Sequence, residues 1–118
     1  MKVKLNIKPD EPTLNGRIYP KNIIEDEIIS KELPVYLGIG NGELNILEDL
    51  IGFAKSEINE KNEIVSEIKL LSSNAAKIFS TMPSDGYDYT IKGIGEVLDN
   101  IVSEFKCSSI NVIDREGE

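Results

Sequence analysis

Val3, Leu5 and Ile7 alternate with Lys2, Lys4, Asn6 and Lys8, the period of two that predicts a half-buried strand. The prolines of PDEP at 9–12 end it, because each removes a backbone donor. Asn15-Gly16 is a dipeptide suited to a tight turn with positive φ. Pro20 suits the first turn of a helix, where a missing N–H is no loss. Ile23, Ile24 and Ile28 then line one helical face, with Glu25, Asp26 and Glu27 near its positive end.

LPVYLGIGNG predicts a short strand over 35–39 running into a glycine-rich loop. Two longer strands follow: Leu50, Ala54 and Ile58 alternate with Lys55 and Glu57, and Ile64, Ile68 and Leu70 with Glu67 and Lys69. NEKNE at 59–63 joins them as a hairpin. Ser72 or Ser73 can cap a second helix in which Ala75, Ile78, Phe79 and Met82 recur at i, i+3, i+4 and i+7. Pro83 and the following SDG stop it.

Tyr87, Tyr89, Ile91 and Val97 share one face of the next strand, and Gly93 and Gly95 inside it predict a bulge or a close backbone approach. In the last strand Ile101, Phe105 and Cys107 give way to Ile110 and Val112, a change of phase that a bulge near Ser108-Ser109 accounts for. DREGE reads as a frayed tail. The expected fold is one α+β domain over 1–118, mainly antiparallel and partly barrel-like, with two short to medium helices.

The chain has 118 residues and a net charge of −8. That balance repels phosphate backbones and anionic lipid, which disfavours general nucleic-acid and membrane binding. MKVKLNIKP lacks a signal-peptide core, and no run approaches the roughly 18 apolar residues of a membrane helix. A single cysteine, Cys107, leaves no intramolecular disulfide and fits a reduced setting. There is no histidine, which closes Ser-His-Asp, Cys-His and His-zinc chemistry. Carboxylate and Ser-Lys chemistry stay formally open.

Each candidate motif has a plainer reading. Gly38-Ile39-Gly40-Asn41-Gly42 is not followed by the G-K-[ST] of a phosphate loop, and Gly93-Ile94-Gly95 is no dinucleotide fingerprint. Glu25, Asp26, Glu27 and the pair Glu48, Asp49 lack the spacing of a calcium loop and read as solvated acidic faces; no metal or cofactor is expected. Spacing selects no lysine partner for Ser80 or Ser103. Cys107 reads as a buried, inert thiol, and Tyr87 and Tyr89 as packing groups.

One stretch is more specific. LNGRIYPKNIIEDEI, with Asn15, Gly16, Arg17, Tyr19 and Pro20, resembles the N-x-N-[GK]-R-x-Y-P element of the prohead (capsid-maturation) proteases of tailed phages, whose fold is akin to the herpesvirus assemblins. NGELNILEDLIG resembles that family's G-E-L-x-H-P segment, with Ile46 at the position of the general-base histidine and Leu47 at that of the proline. YTIKGIGEV resembles its S-S-R-G-x-G segment: Thr90 and Ile91 stand at the serines, Ile91 on the favoured register at the nucleophile, Lys92 replaces the arginine, and Gly93 and Gly95 are kept. IVSEFKCSSINVI resembles the closing strand.

An isoleucine neither accepts a proton nor attacks a carbonyl, and Thr90 in the serine's place would still lack a histidine. The resemblance therefore implies an inactive relative in which Asn15–Pro20 serve as scaffold, with Arg17 and Tyr19 as anchors. The role it implies is non-enzymatic, through contacts with phage or host proteins in prohead or virion assembly, as a homo-oligomer in the host cytoplasm or on the virion. The alternative is a host-takeover or anti-defence protein that binds a host protein or sequesters a nucleotide signal, with Arg17, Lys92 or Arg115 neutralising phosphate.

Overall fold

Alternating segments become strands where a second layer covers their inward side chains. In a computed structural model, which describes residues 1–38, 49–83 and 86–114, six strands form one sheet: β1 (Lys2–Lys4), β2 (Glu32–Leu37), β3 (Leu50–Ile58), β4 (Ile64–Leu70), β5 (Tyr87–Leu98) and β6 (Ile101–Asp114). Their order across the sheet is β1-β4-β3-β2-β6-β5. Helix α1 (Lys21–Ile24) continues as a π-helical turn, Glu25–Ile29, and α2 spans Asn74–Thr81.

The α+β expectation holds, with one correction: the sheet is mixed. β2 runs parallel to β6, pairing Val35 with Ile110 and Leu37 with Val112, while the other pairings are antiparallel. Alternation looks the same in either orientation, so the direction of so distant a partner is invisible locally. β2 also starts at Glu32, earlier than expected. Pro34, which has no N–H to donate, precedes the first pairing with β6 at Val35.

The sheet curls into a half-barrel. Beyond β1, Leu5 N donates to Ile64 O of β4 at 2.9 Å and Asn6 N to Tyr89 O of β5 at 2.9 Å, so the two edges meet at one point. Leu5 and Ile7 are buried, although regular pairing stops at Lys4. Ile24 and Ile28 of the first helix are sealed against Val35, Ile51, Ile110 and Val112. At the inward phase of β3 and β4, Ser56 and Ser66 face each other and share a 2.6 Å hydroxyl hydrogen bond. That bond satisfies both polar groups inside an apolar core.

Helix α2 is capped by Ser73, whose Oγ accepts from Ala76 N at 3.0 Å. Its buried stripe is Ala75, Ala76 and Phe79; Ile78, expected inward, is 56% exposed, because so short a helix buries only the stripe centred on Phe79. Leu70, also expected inward, lies exposed at the end of β4. Asp114, expected in the tail, belongs to β6. The expected bulge near Ser108-Ser109 is present: Lys92 pairs with Ser109 and Gly93 with Cys107, leaving Ser108 as the extra residue. Among the described residues no helix is long and apolar enough to cross a membrane.

Candidate functional site

The family-like opening stretch builds one wall of a groove. Gly16 N donates to Thr13 O at 2.9 Å and Thr13 N to Arg17 O at 2.8 Å, closing a three-residue loop. Only Gly16 takes positive φ, at 83°; Asn15 does not. This is a turn followed by a left-handed glycine, which differs from the two-residue form in which both positions are left-handed. The Thr13 hydroxyl reinforces it with hydrogen bonds to Asn15 Oδ1 and from Arg17 N.

The loop delivers Ile18 to the end of the β5–β6 hairpin. Ile18 N donates to Asn100 O and accepts at its carbonyl from Val102 N, both at 2.8 Å. The hairpin turns through Asp99 and Asn100, at φ 51° and 66°, the geometry whose twist matches paired strands. Next, the Tyr19 ring meets Phe105 edge-on, with centroids 5.5 Å apart and planes at 82°. Pro20 is the cap preceding α1, and Lys21 begins the helix.

Phe105 explains one of the two glycines inside β5. A Cβ on Gly93 would lie 2.6 Å from Phe105 Cζ and 2.2 Å from Lys106 O; one on Gly95 would lie 2.2 Å from Glu104 O. Both glycines serve close backbone approach, as the interrupted strand pattern suggested. Tyr19, Phe105 and Gly93 thus stack into one contact joining segments far apart in sequence.

Between these walls lies a groove of about 430 Å³ lined by Arg17, Tyr19, Ile91, Lys92, Gly93 and Phe105, among others. The structure therefore brings together two of the three family-like segments. Tyr19 is the anchored member, half-buried against the core. Arg17 is exposed, and its backbone, within the turn, is what holds it. Among the described residues neither Arg17 nor Lys92 is ion-paired. Ile91 packs against the core opposite Ile110, and Thr90 pairs with Asn111. Ile46 and Arg115 lie outside the described residues, as do Glu48 and most of the glycine-rich loop.

The remaining candidates are occupied structurally. Ser80 Oγ donates to Ala76 O at 2.8 Å and Ser103 Oγ to Glu96 O at 3.3 Å, so each hydroxyl is committed to a carbonyl. Cys107 is buried, and burial pushes its thiol up to about 11, away from the reactive thiolate form. Glu27, expected on a solvated acidic face, is a clamp between helix and sheet. Its Oε1 accepts from Lys31 Nζ at 2.7 Å and from Cys107 N at 3.0 Å. The hydrogen bond from Lys31 leads in holding its carboxyl below the usual 4.5. The phase change at Cys107 was the available signal that a backbone donor there needed a side-chain partner.

A larger groove, about 710 Å³, lies where β1 and β5 diverge, lined by Leu5, Phe79, Met82, Tyr87 and Tyr89 among others. The Tyr89 ring there meets Phe79 edge-on at 6.4 Å. Of the candidates weighed from the sequence, Ser80, Tyr87 and Tyr89 line it, and none of the residues of the family-like motifs does. Compared with known protein families, with curated proteins and with solved structures, the chain matches none.

Proposed function

We propose that the chain is a non-enzymatic relative of the prohead proteases that acts through protein–protein contacts in phage prohead or virion assembly. The observation that carries this reading is the Tyr19–Phe105–Gly93 stack. It ties the opening stretch to the segment in which the family places its nucleophile, and at that point the chain carries Ile91, packed against the core. The reading is supported by a groove in which that stack lies beside a side chain with no acid–base or nucleophilic capacity.

The groove rim then serves as a docking surface, with an aromatic ring, apolar groups and two cations, the residue mixture of small contact patches. Isothermal titration of the purified chain against capsid and scaffold proteins of the encoding phage tests this. Binding that weakens about ten-fold in Arg17→Glu or Lys92→Glu supports the reading; binding to none of them refutes it.

Arg17 and Lys92, which line one groove and have no ion-pair partner among the described residues, favour a second reading, capture of a nucleotide signal by two cations. Nucleotide-induced thermal stabilisation of the chain, lost in the same variants, would select it over the first.

A further inference from the structure

β5 is the outermost strand. One side pairs with β6 along its length, and the other is reached at Tyr89 by a backbone hydrogen bond from Asn6. From Thr90 to Leu98 no backbone hydrogen bond reaches the outer edge among the described residues. Open edges recruit further strands unless proline, a bulge or dense charge blocks them. β5 has no proline, and both register shifts place the extra residue, Ser108 or Ser103, on β6. Ile94 is 85% exposed and Leu98 68%.

The charges along this edge are unbalanced within one copy. Glu96 stands directly across the ladder from Glu104, an unfavourable like-charge pair. Among the described residues neither carboxylate has an ion-pair partner, and Lys92 has none either. Lys92 and Glu96 share a face of one strand but stand too far apart along it to pair.

We infer that β5 pairs antiparallel with the β5 of a second copy about a two-fold axis at Ile94. A two-fold contact is self-complementary, and this register satisfies it. Lys92 stands opposite the partner's Glu96, and Glu96 opposite the partner's Lys92, which offsets the repulsion from Glu104. Ile94 meets the partner's Ile94 on the same face. On the other face Ile91 stands opposite the partner's Val97, and Gly93 opposite the partner's Gly95. Moving the register by one or two residues removes both ion pairs. The edge is short, so the dimer is weak and concentration-dependent, as interfaces below roughly 1,200 Å² are. The net charge of −8 on each copy opposes it at low salt.

Sedimentation equilibrium of the full chain over a concentration series, in about 0.15 M salt, tests the dimer. The wild type is expected to show a monomer–dimer equilibrium. Lys92→Glu and Glu96→Lys should each weaken it about ten-fold or more, and the double reversal should restore it. Ile94→Asp, at an exposed position, should abolish it by placing two like charges on the axis. A chain monomeric at every concentration, its edge left for a strand of another protein, overturns the inference. So does a dimer indifferent to the single reversals or to Ile94→Asp. The inference does not rest on the assembly reading: a monomer that still binds capsid protein refutes the dimer and leaves that reading standing.

Discussion

The two ends of the β5–β6 hairpin share one ladder but have opposite surroundings. At its base, Ile110 and Val112 are fully buried and Tyr89 and Ile91 lean on the core; towards its tip, Ile94, Leu98 and Ile101 face solvent. The base is held by a second layer of helix and sheet. The tip is held by a strip of chain, through the Ile18 hydrogen bonds and the Tyr19–Phe105 contact. Strand pairing alone therefore says little about whether a strand belongs to the core. What covers its faces decides that, and at the tip the cover is incomplete.

Truncation should separate the two ends most sharply. Ile110→Ala is expected to cost about 2–5 kcal/mol, because it leaves a cavity in a closed core, whereas Ile94→Ala should stay within about 0.5 kcal/mol. Equilibrium urea unfolding at a concentration where the chain is monomeric measures both; equal losses would erase the distinction between base and tip.

Gly93→Ala probes the tip's tightest contact. The added methyl meets Lys106 O and the Phe105 ring, so a loss of about 1–3 kcal/mol is expected from overpacking. An unchanged melting temperature would mean that Phe105 does not lie over Gly93. Next comes the strip itself. Tyr19→Leu should cost about 0.5–1.5 kcal/mol through the lost edge-on contact, while Arg17→Ala, exposed and unpaired among the described residues, should fall within about 0.5 kcal/mol. A larger loss from Arg17 than from Tyr19 would reverse their assigned roles.

The smallest expected effect is electrostatic and sits where helix meets the middle of the hairpin. Because Lys31 and Cys107 N hold the Glu27 carboxyl below its usual value, its contribution is present above pH 4.5 and is lost as pH falls through the lowered value. Glu27→Gln should therefore destabilise the chain near neutral pH and lose that disadvantage in acid. A difference from wild type that is constant from pH 7 to pH 3 would count against the clamp.

Much of this was legible in the sequence. The β3–β4 hairpin, the Ser73 cap and the bulge at Ser108 follow from alternation, capping and a phase change, all local signals. The parallel β2–β6 pairing was not, since it joins Val35 to Ile110 and periodicity carries no direction. The groove was half legible. Tyr19 and Gly93 were singled out by resemblance, but their physical link is Phe105, which the sequence presented only as an inward strand residue. Glu27 was misread because a carboxylate in an acidic run looks solvated until the amide that it serves is brought beside it. Asp99-Asn100 was overlooked, although a two-residue polar break between apolar strands is itself a hairpin signal.

The proposed role is that of a groove that holds and does not cut. Purified chain incubated with casein and with peptides spanning the capsid protein, at near-neutral pH and followed by mass spectrometry, addresses that directly. Intact substrates at the level of the buffer control are the result expected from Ile91 at the heart of the site. Cleavage that tracks with the protein and disappears in Ser80→Ala, Ser103→Ala or Thr90→Ala would contradict it.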